Sequence, residues 1–208
     1  MFLLQNYNLH LFFHRICKLL GITVLTDNVA GIKAYNKKKP SFSEAGEETD
    51  IAPAELLLGF DGLADEYTLT GVPVNASPHY ELLKLIKEDK DISCCDYIKR
   101  ETTGCLDGRF PIKADIPGHT SASKKTTASV AAENYKPPLV YLVNDSYYIL
   151  DGKHRCAAAA LSGTPVRCRL IPLEEIRAYS YHQKLYKKMQ KNPDKYSRNL
   201  ALLHSIYR

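Results

Sequence analysis

Within two residues of Leu150 the chain changes from a strand-forming to a helix-forming composition. Tyr147, Tyr148 and Ile149 make a β-prone run that stops at Asp151-Gly152, and the alanine-rich run from Cys156 to Ala160 starts almost at once. A strand therefore passes through a tight turn into a helix, and Lys153, His154 and Arg155 fall on the first helical turn. The first amides of a helix have no partners within it and carry partial positive charge, which suits an anion. Gly152 keeps a Cβ out of the approach path. Cations are disfavoured at a helix start by the macrodipole, so three consecutive basic or protonatable residues there point to a bound phosphate. The alternative is a solvated basic turn with no ligand.

The flanking sequence supplies the rest of a small α/β unit. Leu139–Val143 and Tyr147–Leu150 read as a hairpin about Asn144-Asp145-Ser146. The helix predicted over Asp151–Leu161 is stopped by Ser162-Gly163-Thr164-Pro165, and Val166–Ile171 reads as a third strand. Upstream, Ser77 is placed to cap a helix with Pro78 at its first position and Glu81 in its first turn, running to about Asp89. Residues 51–58 read as a short strand or turn, Gly59–Gly62 as a turn, and Cys94–Arg100 as a second short helix. Residues 113–134, rich in Ser, Thr, Ala and Lys, fit either a poorly packed helix or a lid. Leu173–Gln190 and the residues from about Lys195 read as helices separated by Pro193.

The D-G-K-H-R run at 151–155, reached from a strand and returning to one at Val166–Ile171, resembles the signature turn of the ParB/sulfiredoxin superfamily. Ile51-Ala52-Pro53-Ala54-Glu55-Leu56-Leu57 is similar to the opening strand and turn of that fold. Ser77-Pro78-His79-Tyr80-Glu81-Leu82-Leu83 is similar to a helix start in some small stand-alone members, so the likeness spans roughly residues 50 to 172. It implies an α/β (α+β) fold: a small mixed sheet with packed helices. An N-terminal helix with its linker (1–50) and a basic helical extension (177–208) would flank a nucleotide-binding domain at 51–176.

The resemblance also implies chemistry. The Gly152–Arg155 backbone and the Arg155 fork would grip nucleotide phosphates, Lys153 would neutralise the terminal one, and His154 would donate a hydrogen bond. Asp151 is either the helix N-cap or a contact to Mg²⁺ or the nucleotide. Glu55, Asp61 and Glu81 are the carboxylates expected near the turn to position a nucleophile or metal, and His79 could act as base or phosphate contact. The expected activity is Mg²⁺-dependent binding and hydrolysis or transfer of a nucleotide phosphate, ATP by default. Some small members of this superfamily are plasmid-borne conjugation inhibitors with ATPase and DNase activity, and the size and basic tail here are compatible with that. In the sulfiredoxin branch a catalytic cysteine precedes His-Arg; here Lys153 stands in its place, and Cys156 reads as buried packing.

Charge and cysteine usage bound the remaining options. The net charge is +5, yet the segment from Arg177 to Arg208 holds five Lys and three Arg against Asp194 alone. That balance of +7 leaves about −2 for the rest. Tyr179, Tyr181, Tyr186, Tyr196 and Tyr207 are interleaved there. This pattern fits either a nucleic-acid contact through stacking and phosphate binding or an amphipathic helix packed through its tyrosines. No helix-turn-helix signature follows the nucleotide motif.

Residues 9–20 make an amphipathic basic helix, fit to dock on the protein or lie on a membrane surface, and residues 36–50 read as a polar linker. No apolar run reaches membrane-spanning length, and no secretory leader pattern is visible, so a cytoplasmic protein with reduced thiols is expected. The six cysteines form no C-x-x-C pair, and no metal cluster is expected. Two other functions remain open: a nucleic-acid-binding protein or nuclease without nucleotide turnover, and a non-catalytic nucleotide-sensing effector or adaptor with a protein partner.

Overall fold

Alternation of side chains in the central hairpin divides the apolar residues between two opposite cores, and the architecture follows from that division. The computed structural model of the chain describes residues 46–59, 69–104, 116–178, 183, 186–187 and 189–207. The amphipathic segment expected at 9–20 and the expected carboxylate Asp61 lie outside them. The strands are β1 (Glu48–Ile51), β2 (Leu56–Leu58), β3 (Leu139–Val143), β4 (Ser146–Asp151) and β5 (Val166–Leu170). They form one mixed sheet in the order β1-β5-β3-β4-β2. The hairpin β3–β4 is antiparallel, β2 lies parallel to β4, β5 parallel to β3, and β1 antiparallel to β5. Asn144 and Asp145 both have positive φ, as a two-residue hairpin turn matched to strand twist requires.

On one face, Val140, Ile149, Leu56, Leu58, Val166 and Cys168 meet three helices: α1 (Pro78–Lys87), α3 (Ile116–Ala131) and α4 (Lys153–Ser162). A short helix α2 (Asp96–Gly104) joins α1 through Leu82, Ile86, Ile92, Cys95 and Ile98. The start of α1 is as the sequence predicts: the Ser77 Oγ accepts the Tyr80 amide at 3.2 Å, and Pro78 holds the first position. The Ser/Thr-rich stretch is a true helix. Thr120 and Thr126 return their hydroxyls to the carbonyls of Ile116 and Ala122, while Ser123 and Val130 are buried.

On the other face, Leu139, Tyr141, Val143 and Leu150 are covered by Ile176 of α5 (Leu173–Ala178), by Met189, and by Leu200, Leu202, Leu203 and Ile206 of α6 (Ser197–Tyr207). The basic C-terminal segment thus builds one of the two cores. Asn199, buried on α6, donates to the Thr70 hydroxyl at 2.6 Å, a link across 129 positions of sequence.

One boundary differs from expectation. Residues 48–50, expected as linker, belong to β1. Their polarity suits an outer strand, where Glu48 sits opposite Arg169 and accepts from its Nη2 at 3.0 Å. Of the helix expected over Leu173–Gln190, the structure describes α5 and helical positions at 183, 186, 187 and 189; the other residues of 179–188 lie outside the described ones. No helix among the described residues is long and apolar enough to cross a membrane.

Leu203 has no exposed surface. Leu203→Ala is therefore expected to destabilise the whole sheet by about 2–5 kcal/mol. Urea unfolding followed by circular dichroism checks this, and a loss below about 1 kcal/mol would mean α6 is not part of the cooperative unit.

Candidate functional site

The turn between β4 and α4 is built on a backbone conformation that only glycine adopts easily. Gly152 has φ +95°, and a Cβ there would lie 2.8 Å from Arg155 Nη2 and 2.9 Å from Pro138 Cβ. Asp151, expected as a possible N-cap, is instead the last residue of β4, and Gly152 occupies the cap position. Having no side chain, Gly152 caps none of the first-turn amides. The helix ends as expected, on Gly163 at φ +69°.

Arg155 folds back across this turn. Its Nη2 donates to Asp151 Oδ2 at 3.2 Å, and its Nη1 donates to the Lys136 carbonyl. The guanidinium is mostly buried, with 18% of its side chain exposed. Expected as a phosphate fork, Arg155 is seen as the brace that ties the helix start to the strand end and to the entry of β3.

The turn lies at the carboxyl ends of two neighbouring parallel strands, β2 and β4. Leu58 is in register with Ile149, and the Gly59 amide donates to the Ile149 carbonyl at 3.3 Å. A Cβ on Gly59 would come within 2.5 Å of that oxygen, so the two backbones need a glycine to diverge here. Ends of parallel strands leave a crevice where ligands commonly seat.

Rings from four helices converge beside the turn. His79 of α1 and His154 of α4 meet edge to face with centroids 4.8 Å apart. Tyr97 of α2 lies 5.1 Å from His79 and 5.2 Å from His154, and His119 of α3 lies 5.9 Å from Tyr97. His79, Tyr97 and His154 sit on the first turns of α1, α2 and α4, and His119 is the fourth described residue of α3. His79 is buried; Tyr97, His119 and His154 are partly exposed around it. The sequence pointed to His79 and His154 separately and missed Tyr97 and His119. The signal for both was modest: a tyrosine on an expected short helix, and a histidine after Pro117-Gly118 in a Ser/Thr-rich stretch.

The expected carboxylates are less concentrated. Glu55 is exposed on the turn of 3₁₀ helix Pro53–Glu55, and its carboxylate accepts the Ala52 amide at 3.3 Å. Glu81 is exposed on α1 and lines a groove of about 430 Å³ with Asn75, Tyr80, Lys84 and Asp96; none of residues 151–155 lines that groove. Among the described residues no group of three or more His, Cys, Asp and Glu is arranged to hold a metal ion.

Cys156 and Cys168 are fully buried, α4 against β5. Burial first, then the neighbouring Cys168 thiol, pushes the Cys156 thiol well above the usual range. No thiolate nucleophile is available there. The raised value also means that this thiol's contribution to stability is present below the ordinary thiol range and is lost as pH rises through the folded-state value.

The chain matches no family model, no curated protein and no solved structure.

Two outcomes follow from this geometry. Gly152→Ala is expected to cost about 1–3 kcal/mol and to disorder the turn, since strained φ and collision with the Arg155 guanidinium act together; thermal unfolding of the variant measures it. Under brief iodoacetamide treatment of the native protein, peptide mapping is expected to find Cys94 modified while Cys156 and Cys168 stay unmodified, because only the first of these is exposed. Labelling of Cys156 at the rate of Cys94 would contradict the buried, protonated thiol.

Proposed function

We propose that this chain binds a nucleotide, ATP by default, through its phosphates at the Gly152–Arg155 turn and hydrolyses or transfers the terminal phosphate, as the ParB/sulfiredoxin-like domains it resembles do. The observation that carries this reading is the ring-lined opening of α4. A glycine at positive φ presents a basic helix start beside the crevice at the ends of β2 and β4, and His154 meets His79 from another helix. A solvated basic turn would need none of this convergence.

Within that reading, Lys153 offsets phosphate charge, His154 supplies a hydrogen bond, and Arg155 keeps the turn shaped through Asp151 and Lys136. Asp151 already accepts from Arg155, so Mg²⁺ is best read as entering on the nucleotide, held mainly by its phosphates, where it would neutralise developing charge. Sulfinic-acid reduction is disfavoured, because Lys153 replaces the cysteine that chemistry needs and Cys156 is buried with its proton retained.

The nucleic-acid reading draws less support. Tyr186 and Tyr207 stack on each other at 5.3 Å, and both pack with Tyr196 against the second core. Those rings are half-buried against the interior, which leaves less of each face for stacking on bases. Tyr179 and Tyr181 lie outside the described residues. The basic side chains of the segment would still give weak, salt-sensitive contact with a polyanion.

The test is rapid mixing of the protein with radiolabelled ATP or CTP and Mg²⁺, with and without DNA. Free or transferred phosphate is expected without DNA. Lys153→Ala should lower nucleotide affinity by roughly 1.5–3 kcal/mol, the range of a charge-assisted contact, with the fold intact. Saturable binding without turnover would favour the sensor; cleavage of DNA without nucleotide would favour the nuclease.

A further inference from the structure

We infer that the outer side of the C-terminal segment docks on the phosphate backbone of duplex nucleic acid through Lys187, Lys191, Lys195 and Arg198, without reading its sequence. The inference is independent of the nucleotide reading. The segment packs on the face of the sheet opposite α4, so the two surfaces lie on different sides of the domain.

Burial fixes which side of the segment faces water. Met189, Leu200, Leu202, Leu203 and Ile206 fill the second core, while Lys187, Lys191, Lys195 and Arg198 are all exposed. Tight turns hold these four on one short stretch. The Asn192 amide donates to the Met189 carbonyl at 3.0 Å, and the Tyr196 amide to the Pro193 carbonyl at 3.2 Å. No ion pair joins any of the four to an acid of the described residues; Lys195 rests 5.4 Å over the ring of Tyr196 and stays exposed. Elsewhere cations are met by local acids: Lys90 by Glu88 at 2.7 Å, Arg100 by Asp96 at 2.6 Å and Arg169 by Glu48 at 3.0 Å. Between Arg177 and Arg208 the one acid is Asp194, so the positive potential there is not offset locally.

The form of this surface selects the partner. A helix that lies on a membrane inserts an apolar face beneath its basic one, and here the apolar face is already buried in the core. Single strands are held by stacking as well as by charge, and Tyr186, Tyr196 and Tyr207 are half-buried. A duplex asks only for exposed cations along its phosphates. Contacts of that kind set position and affinity and carry no base preference.

Fluorescence anisotropy of a labelled mixed-sequence DNA duplex, titrated with the full chain over a series of salt concentrations, tests this. Binding is expected with a Kd of about 1–100 μM, and log K should fall against log salt with a slope of about −3, the release from three to four phosphates. Combining Lys187→Gln, Lys191→Gln, Lys195→Gln and Arg198→Gln should weaken binding at low salt by at least about tenfold and flatten the slope by about 3, at unchanged melting temperature. Should the combined variant unfold, each single substitution is expected to flatten the slope by about 0.9. Lys84→Gln, Lys87→Gln and Lys90→Gln on α1 together should leave binding unchanged. Undetectable binding at low salt, binding that salt does not weaken, or folded variants that bind like the wild type overturn the inference. Tighter binding to anionic lipid vesicles than to the duplex at equal salt also overturns it, and makes the surface a membrane contact.

Discussion

An alanine helix can lie close to a sheet because nothing on its surface holds it away. Cys156 and Ala157–Ala159 are all fully buried, with the sheet on one side and α1 and α3 on the others. Four consecutive buried positions cover every side of a helical turn, so α4 is fixed in depth and in rotation. Its first turn inherits that fixity. Lys153, His154 and Arg155 project from a rigid base, and α1 and α2 bring their own first turns to the same place, with His119 of α3 beside Tyr97. The candidate site is thus a by-product of how α4 is enclosed, and sites on rigid elements hold their geometry best.

The strand–turn–helix at 147–162 was legible because three signals agreed over a short distance: β-prone residues, a glycine turn, then strong helix formers. The capped start of α1 and the hairpin turn were legible for the same reason. Strand β1 was not, since its Glu48 and Asp50 look like linker until Arg169 and Arg167 are placed opposite them, and that pairing is non-local. The division of apolar residues between two faces was hidden too. Nothing local assigns Leu200–Ile206 to the face opposite α4.

The site was half legible. Local sequence brought Gly152–Arg155 together and suggested His79, but the contact between His79 and His154 depends on α1 packing on α4. Tyr97 and His119 enter only through helix placement, and His119 lies in a stretch whose Ser/Thr content gives weak helical periodicity. The brace made by Arg155 was invisible because one of its two partners is a backbone carbonyl 19 residues away. Composition identifies donors; it does not say which acceptors the fold will offer them.

The link between Asn199 and Thr70 has a consequence for the order of assembly. The segment carrying Thr70 and the helix that answers it are separated by most of the domain, and α6 also closes the outer face of the hairpin. On a ribosome, the sheet and α4 can form while that face still presents Leu139, Tyr141, Val143 and Leu150 to water. Only when residues 199–206 emerge does the hydroxyl of Thr70 find its amide and the apolar strip, until then met by Ile176 and Met189 alone, the rest of its cover. For that interval the nascent chain carries a sticky flank, the kind of exposed apolar surface through which partly folded chains associate.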